Sequence, residues 1–282
     1  MFTLIVQNKY GERLELTHNN SYTISNIDGI DPPEATINVT RNANYDGAVY
    51  NSSFMNERQI TITLAINKPA ETNRINLYRY FKSKMPVRLF YKNRSRDVYI
   101  DGYVKSVQIG FFDKKQIAQI VIECPRPHFN GANPDVQEFA SMEPLFEFPF
   151  SINASGIPFS EILLAEEKSI INHGDLETGV IINIHAMGTV VNPKIYNVET
   201  LEHMFFNVEL GAGDDIYINT IQGEKSIAIV KNGVRTNGIG NLDITSSWFQ
   251  MLPGDNIFTV DATDGAEYLF VTFTMTDQFE GV

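Results

Sequence analysis

The sequence predicts a mainly β protein of two domains, and three observations carry that prediction. Its 282 residues are about twice the usual ~100–150-residue domain. Residues 60–66 alternate without a break, with Ile60, Ile62, Leu64 and Ile66 facing one way and Thr61, Thr63 and Ala65 the other, the pattern of a half-buried strand. The second half falls into short apolar segments separated by glycine-bearing turns at near-regular spacing, the rhythm of a β-sandwich.

In the first half, residues 14–16 and 22–24 read as short strands between the turn residues Tyr10-Gly11, His18-Asn19-Asn20 and Ile27-Asp28-Gly29. After the 60–66 strand, Asn67 is expected to cap a helix, with Pro69 tolerated in its first turn. Over 70–85, Leu77, Tyr78, Phe81 and Met85 line one helical face, and Pro86 ends the helix because the residue before proline avoids the α region. Strands follow at 87–91, 98–109 and 116–123, with Asp113-Lys114-Lys115 as the hairpin tip between the last two. Residues 41–56 differ: they mix turn residues with Tyr45, Val49, Tyr50, Phe54 and Met55 and show no clean period. They form either an ordinary surface loop or an arm that buries those five side chains against another chain. A ~15-residue loop without its own core is uncommon in a compact domain unless it serves a function.

Three prolines, Pro125, Pro127 and Pro134, surround Gly131 and stiffen the chain where its charge changes sign. Residues 1–128 carry 17 basic and 12 acidic side chains, whereas residues 129–282 carry 5 basic and 22 acidic. The boundary therefore falls near 130, giving domains 1–130 and 131–282. In the second, strands are expected at 180–185, 194–198, 204–210, 215–219, 226–230, 248–252, 256–262 and 268–275. Asn232-Gly233 between two of them suits the positive φ of a type I′ hairpin. About eight strands with this turn rhythm make a β-sandwich of jelly-roll type.

The composition excludes several functions. A net charge of −12 argues against nucleic-acid binding, and the single cysteine, Cys124, precludes an intrachain disulfide or a thiolate zinc cage. The five histidines show no ligand spacing. Gly211-Ala212-Gly213 precedes a strand rather than a helix, so it is not a dinucleotide fingerprint, and no loop has calcium-binding spacing. No set of convergent ionisable residues predicts an enzyme. The opening residues lack a basic stretch and a cleavage site, and no apolar run approaches the ~18 residues of a membrane span; neither secretion nor membrane insertion is expected. Arg74, Arg79, Lys82 and Lys84 are read as the solvated or subunit-facing side of the helix. Trp248, the sole tryptophan, either stacks on a sugar ring or packs inside the sandwich beside Phe249 and Leu252, which is the simpler reading.

Four motifs then occur in order: Gly174-Asp175-Leu176-Glu177-Thr178-Gly179; Gly188 followed by Pro193, Ile195, Tyr196 and Asn197; Gly211-Ala212-Gly213-Asp214; and Ser247-Trp248 followed by Leu252-Pro253-Gly254 and Asn256. With Cys124-Pro125, Pro127 and Phe129 upstream, the chain resembles the distal tail (Dit) proteins of long-tailed phages that infect Gram-positive bacteria. The resemblance implies an N-terminal β-rich ring-forming domain with one helix and a C-terminal galectin-like jelly-roll β-sandwich. It implies a homohexameric ring at the virion tail tip, assembled in the host cytoplasm, between the tail-tube protein and the tail-associated lysin or baseplate hub. DNA would pass through the ring without specific binding. Residues 41–56 lie where the family's subunit-clasping arm is expected. The second domain would anchor receptor-binding proteins or decorate the tip. The alternative is a carbohydrate-binding module recognising host cell-wall glycans through Trp248. Neither reading needs a cofactor.

Overall fold

Alternating apolar residues build the main antiparallel sheet of the first unit of this computed structural model. The described residues are 2–41, 43–44, 46–110, 115–144, 160–164 and 167–282; Tyr45 and most of the expected 113–115 tip lie outside them. Along the chain come β1 (Thr3–Asn8), β2 (Arg13–Glu15), β3 (Tyr22–Asp28), β4 (Ala35–Thr40), β5 (Val49–Met55), β6 (Arg58–Ile66), α1 (Ala70–Tyr80), β7 (Pro86–Lys92), β8 (Asp97–Ile109), β9 (Ile117–Cys124) and β10 (Phe129–Gly131). The sheet runs β2-β1-β7-β8-β9-β6-β3, with β10 beside β8. Every second residue of β6, from Ile60 to Ile66, points into a core shared with Leu4, Val6, Leu89, Ile100, Ile120 and Ile122.

The helix departs from expectation at both ends. Asn67 does not cap it: its side-chain amide donates to Asn20 O and Thr23 Oγ1, and the N-cap is Pro69, without a side-chain bond. The helix stops at Tyr80, five residues short, where the Phe81 N–H closes on Leu77 O. Leu77 and Phe81 are buried as the periodicity implies, while Tyr78 is exposed. Tyr22 Oη donates to Asn73 O at 2.8 Å and ties the helix to β3.

The second unit contains β11 (Asp135–Glu138), β12 (Ala140–Pro144), β13 (Ser160–Leu164), β14 (Lys168–Asn172), β15 (Val180–Ala186), β16 (Val190–Asn197), β17 (His203–Phe205), β18 (Glu209–Leu210), β19 (Asp215–Asn219), β20 (Ser226–Lys231), β21 (Val234–Asn237), β22 (Gly254–Asp264) and β23 (Leu269–Met275). One large sheet runs β11-β23-β15-β19-β20-β21 and the other β14-β22-β16-β17, with β18 also on β16, while β12 and β13 pair with each other. The chain changes sheet at β14–β15–β16, at β18–β19 and again at β21–β22–β23, the crossings of a jelly roll. Between the sheets lie Ile182, Ile218 and Phe273 from one and Ile195, Met204 and Phe258 from the other. Phe249 meets Phe258 edge-on, with centroids 5.3 Å apart and planes at 77°. Asn232 and Gly233 take φ of 49° and 76°, as the type I′ turn requires.

Residues 248–252 are not a strand. Phe249 and Met251 are buried, but the segment pairs through one isolated bridge, Thr178 to Met251. Its apolar spacing reports core contact without a ladder. The last five residues also differ from the expected partition: the compact units are Met1–Ala132 with Gln278–Val282, and Asn133–Asp277. β24 (Gln278–Phe279) pairs with β10 and Phe279 joins the first core. A two-residue strand is too short for its alternation to be read from sequence.

Candidate interaction surfaces

β4 and β5 form a two-stranded hairpin that pairs with no other strand among the described residues. Alternation in Thr36-Ile37-Asn38-Val39-Thr40 carries the signal for β4, which the sequence reading missed. Across the ladder Ile37 faces Ser53 and Val39 faces Tyr50, while Asn38 faces Ser52 and Thr40 faces Val49, with a register shift between Asn38 and Val39. One face therefore shows Ile37, Val39 and Tyr50; the other shows Phe54 and Val49 among polar residues. Ile37, Val39, Val49, Tyr50 and Phe54 are exposed, Ile37 and Tyr50 by more than 60%. Polar pairs hold the ladder itself, including Asn38 Nδ2 to Ser52 Oγ at 3.0 Å and Asn51 Nδ2 to Thr40 Oγ1 at 2.7 Å. An isolated two-stranded hairpin is marginal in water.

The root of this hairpin is built around one cation. Arg58, 3% exposed, donates from Nε to Pro127 O at 2.5 Å, from Nη1 to Gly29 O at 2.9 Å and Asp31 O at 2.7 Å, and from Nη2 to Glu280 O at 2.5 Å. Its guanidinium lies 4.8 Å from the Phe129 ring centroid. Burial lowers its pKa, yet an arginine stays charged. Gly29 has φ of 84°, and a Cβ there would lie 2.1 Å from Gln59 O, so glycine permits the close approach.

Met55, the fifth of the side chains expected in an arm, is half-buried here, with Sδ 3.2 Å from His128 Nε2. Burial, and then Arg58, depress the His128 pKa below 6.5. Below that pH the unfolded chain binds a proton that the folded chain resists, so stability falls with pH. The first unit's urea midpoint is expected to be level above about pH 7 and to drop as the pH falls below about 6.5. His128→Gln should flatten that drop; an unchanged profile would refute the assignment. Nearby, burial pushes the Cys124 thiol up to about 12, so it remains protonated and unreactive.

On the second unit, the outer face of β22-β16-β17 forms a cleft of about 730 Å³. Pairing aligns Asp261, Lys194 and Phe205 in one row and Thr259, Tyr196 and His203 in the next. The Lys194 and Asp261 charges are 2.8 Å apart, and the Tyr196 and His203 rings stack at 6.4 Å with planes at 15°. Asp243 and Thr245 add to the lining. Trp248 does not line this cleft: it is half-buried on the sandwich core, with Lys225 Nζ 5.6 Å from its ring centroid. On the helix, Arg79 is engaged in an ion pair with Glu12. Among the described residues, no three His, Cys, Asp or Glu side chains converge as a metal site, and no helix is long and apolar enough to cross a membrane.

Residues 9–123 match the family model described as phage tail protein RIFT-related domain, and residues 173–277 match the one described as siphovirus-type tail component, C-terminal domain. The crystal structure of the SPP1 Dit protein, titled a paradigm of hub adsorption apparatus in Gram-positive infecting phages, shares the fold. It is 12% identical, with a TM-score of 0.68 over 98% of this chain and 99% of that one. Two structures of the phage P2 baseplate in its activated conformation, with calcium and with strontium, are 11% identical and match at a TM-score of 0.51 over 100% of both chains. No curated protein matches in a sequence comparison. The fold and the two family matches define a structural component of a siphovirus-type phage tail. The chain belongs to the distal tail protein (Dit) family of such phages.

Proposed function

We propose that the chain is the hub of the tail tip, a homohexameric ring joining the tail-tube protein to the tail-associated lysin or baseplate hub. The hairpin β4–β5 clasps the neighbouring copy, burying Ile37, Val39, Val49, Tyr50 and Phe54; Tyr45 and Met55 belong to the same arm. The observation that carries this reading is the hairpin itself: exposed apolar side chains on a ribbon that its own unit leaves uncovered, beside a root held by Arg58. A cyclic ring joins two different patches of each subunit, and an exchanged arm secures that contact.

The second unit is acidic, with 21 acidic against 5 basic side chains over 133–277, and like charges keep six copies apart and soluble. Receptor-binding proteins dock on it. DNA passes through the ring without specific contacts, and the ring assembles in the host cytoplasm with no catalytic role of its own. The decisive experiment is native mass with negative-stain imaging. Six copies of the 31.8 kDa chain weigh about 191 kDa and should appear as rings. A strict monomer at high concentration, unchanged when the tail-tube protein is added, would remove the ring.

A further inference from the structure

We propose that the cleft on β22-β16-β17 binds a neutral saccharide. Three features of its chemistry combine. The two rows, Asp261–Lys194–Phe205 and Thr259–Tyr196–His203, are two residues apart along each strand, roughly 7 Å, a spacing suited to one pyranose ring. The lining then pairs ring faces with hydrogen-bonding tips. A sugar is amphipathic in the same way: its C–H face packs on aromatic rings while its hydroxyls need donors and acceptors side by side. Tyr196 and Phe205 supply the rings. Lys194 Nζ and Asp261 Oδ2, 2.8 Å apart, supply a donor and an acceptor spaced for neighbouring hydroxyls.

The rim adds an oriented chain of polar groups. Thr245 donates its one hydroxyl proton to Asp243 Oδ1 at 2.5 Å, so at 3.1 Å it accepts from His203 Nε2. That assigns the Nε2–H form of His203 and holds its ring against Tyr196.

Charge selects the ligand class. The Thr245 hydrogen bond lowers the Asp243 pKa and the Lys194 hydrogen bond lowers that of Asp261. Two carboxylates therefore face one ammonium at neutral pH, on the acidic half of the chain. A polyanion such as poly(glycerol phosphate) meets like charge here, whereas an uncharged hexose or N-acetylhexosamine does not.

The test titrates the full-length protein, by calorimetry and saturation-transfer NMR, with lactose, maltotriose, tri-N-acetylchitotriose and poly(glycerol phosphate). At least one neutral sugar should bind, with a Kd on the order of 0.1–1 mM. Tyr196→Ala should weaken it by about tenfold or more, and Asp261→Asn, which preserves size, by roughly fivefold. Trp248→Phe should leave it unchanged. Silence from all three neutral sugars would overturn the proposal. So would binding of poly(glycerol phosphate) alone, affinity that survives both Tyr196→Ala and Asp261→Asn, or affinity that follows Trp248→Phe.

Discussion

Arg58→Met is expected to destabilise the first unit by about 3–5 kcal/mol, because the carbonyls of Gly29, Asp31, Pro127 and Glu280 lose their common donor. Methionine fills much of the volume and keeps contact with Phe129, so the loss reports the hydrogen bonds and the charge rather than a cavity. Arg58→Lys retains the charge, but an ammonium cannot match the planar fork of a guanidinium. About half the loss should return. Urea unfolding followed by separate probes for each unit is the measurement. The transition of the first unit should move and that of the second should stay. Equal movement of both, or a change under about 1 kcal/mol, would sink the clamp.

The second large effect concerns assembly. Replacing Ile37, Tyr50 and Phe54 together by serine should leave each unit folded, since all three are exposed in the single chain. If these side chains are anchors in a subunit interface, each is worth about 2 kcal/mol or more. Ring formation should then weaken by about ten-thousandfold or more, and the protein should run at 31.8 kDa. Deleting 36–54 and joining Ala35 to Met55 through a short glycine linker should give the same result without altering the Arg58 cluster. Normal hexamers from either variant would refute the arm. Unfolded protein from the deletion, beside folded protein from the triple variant, would place the fault in the root and leave the arm standing.

Much of the architecture was legible because it is written in neighbouring residues. The alternation at 60–66, 180–185 and 215–219 marks strands with one face in a core, and Asn232-Gly233 marks its hairpin. The order of glycine, proline and tryptophan motifs in the second half led to the tail-component family. The hairpin β4–β5 was only half legible. Residues 41–56 stood out for lacking a period, because neither face of that ribbon is buried within its own chain and a bulge breaks the register. Its partner strand, 35–40, does alternate, with Ile37 and Val39 between threonine and asparagine, but the run is short and both apolar side chains are exposed, so no core marks it. Residues 248–252 gave the opposite error, since apolar spacing follows burial and does not by itself imply pairing.

The candidate surfaces depended on what the chain brings together across distance. Arg58 follows Asn56-Glu57 and reads as one more surface cation. Its role appears when carbonyls from residues 29, 31, 127 and 280 close around it. His203 and Thr259 are equally unremarkable, and Tyr196 reads only as part of a family motif, until the strand register sets the three in a row. The sequence by itself determined the β class, the charge division and the family, because periodicity and motif order are properties of nearby residues. Tertiary structure alone decided where the carboxyl terminus returns, what Arg58 holds and which side chains line the cleft. Those depend on closing loops of tens to hundreds of residues, and no local pattern records which distant groups meet.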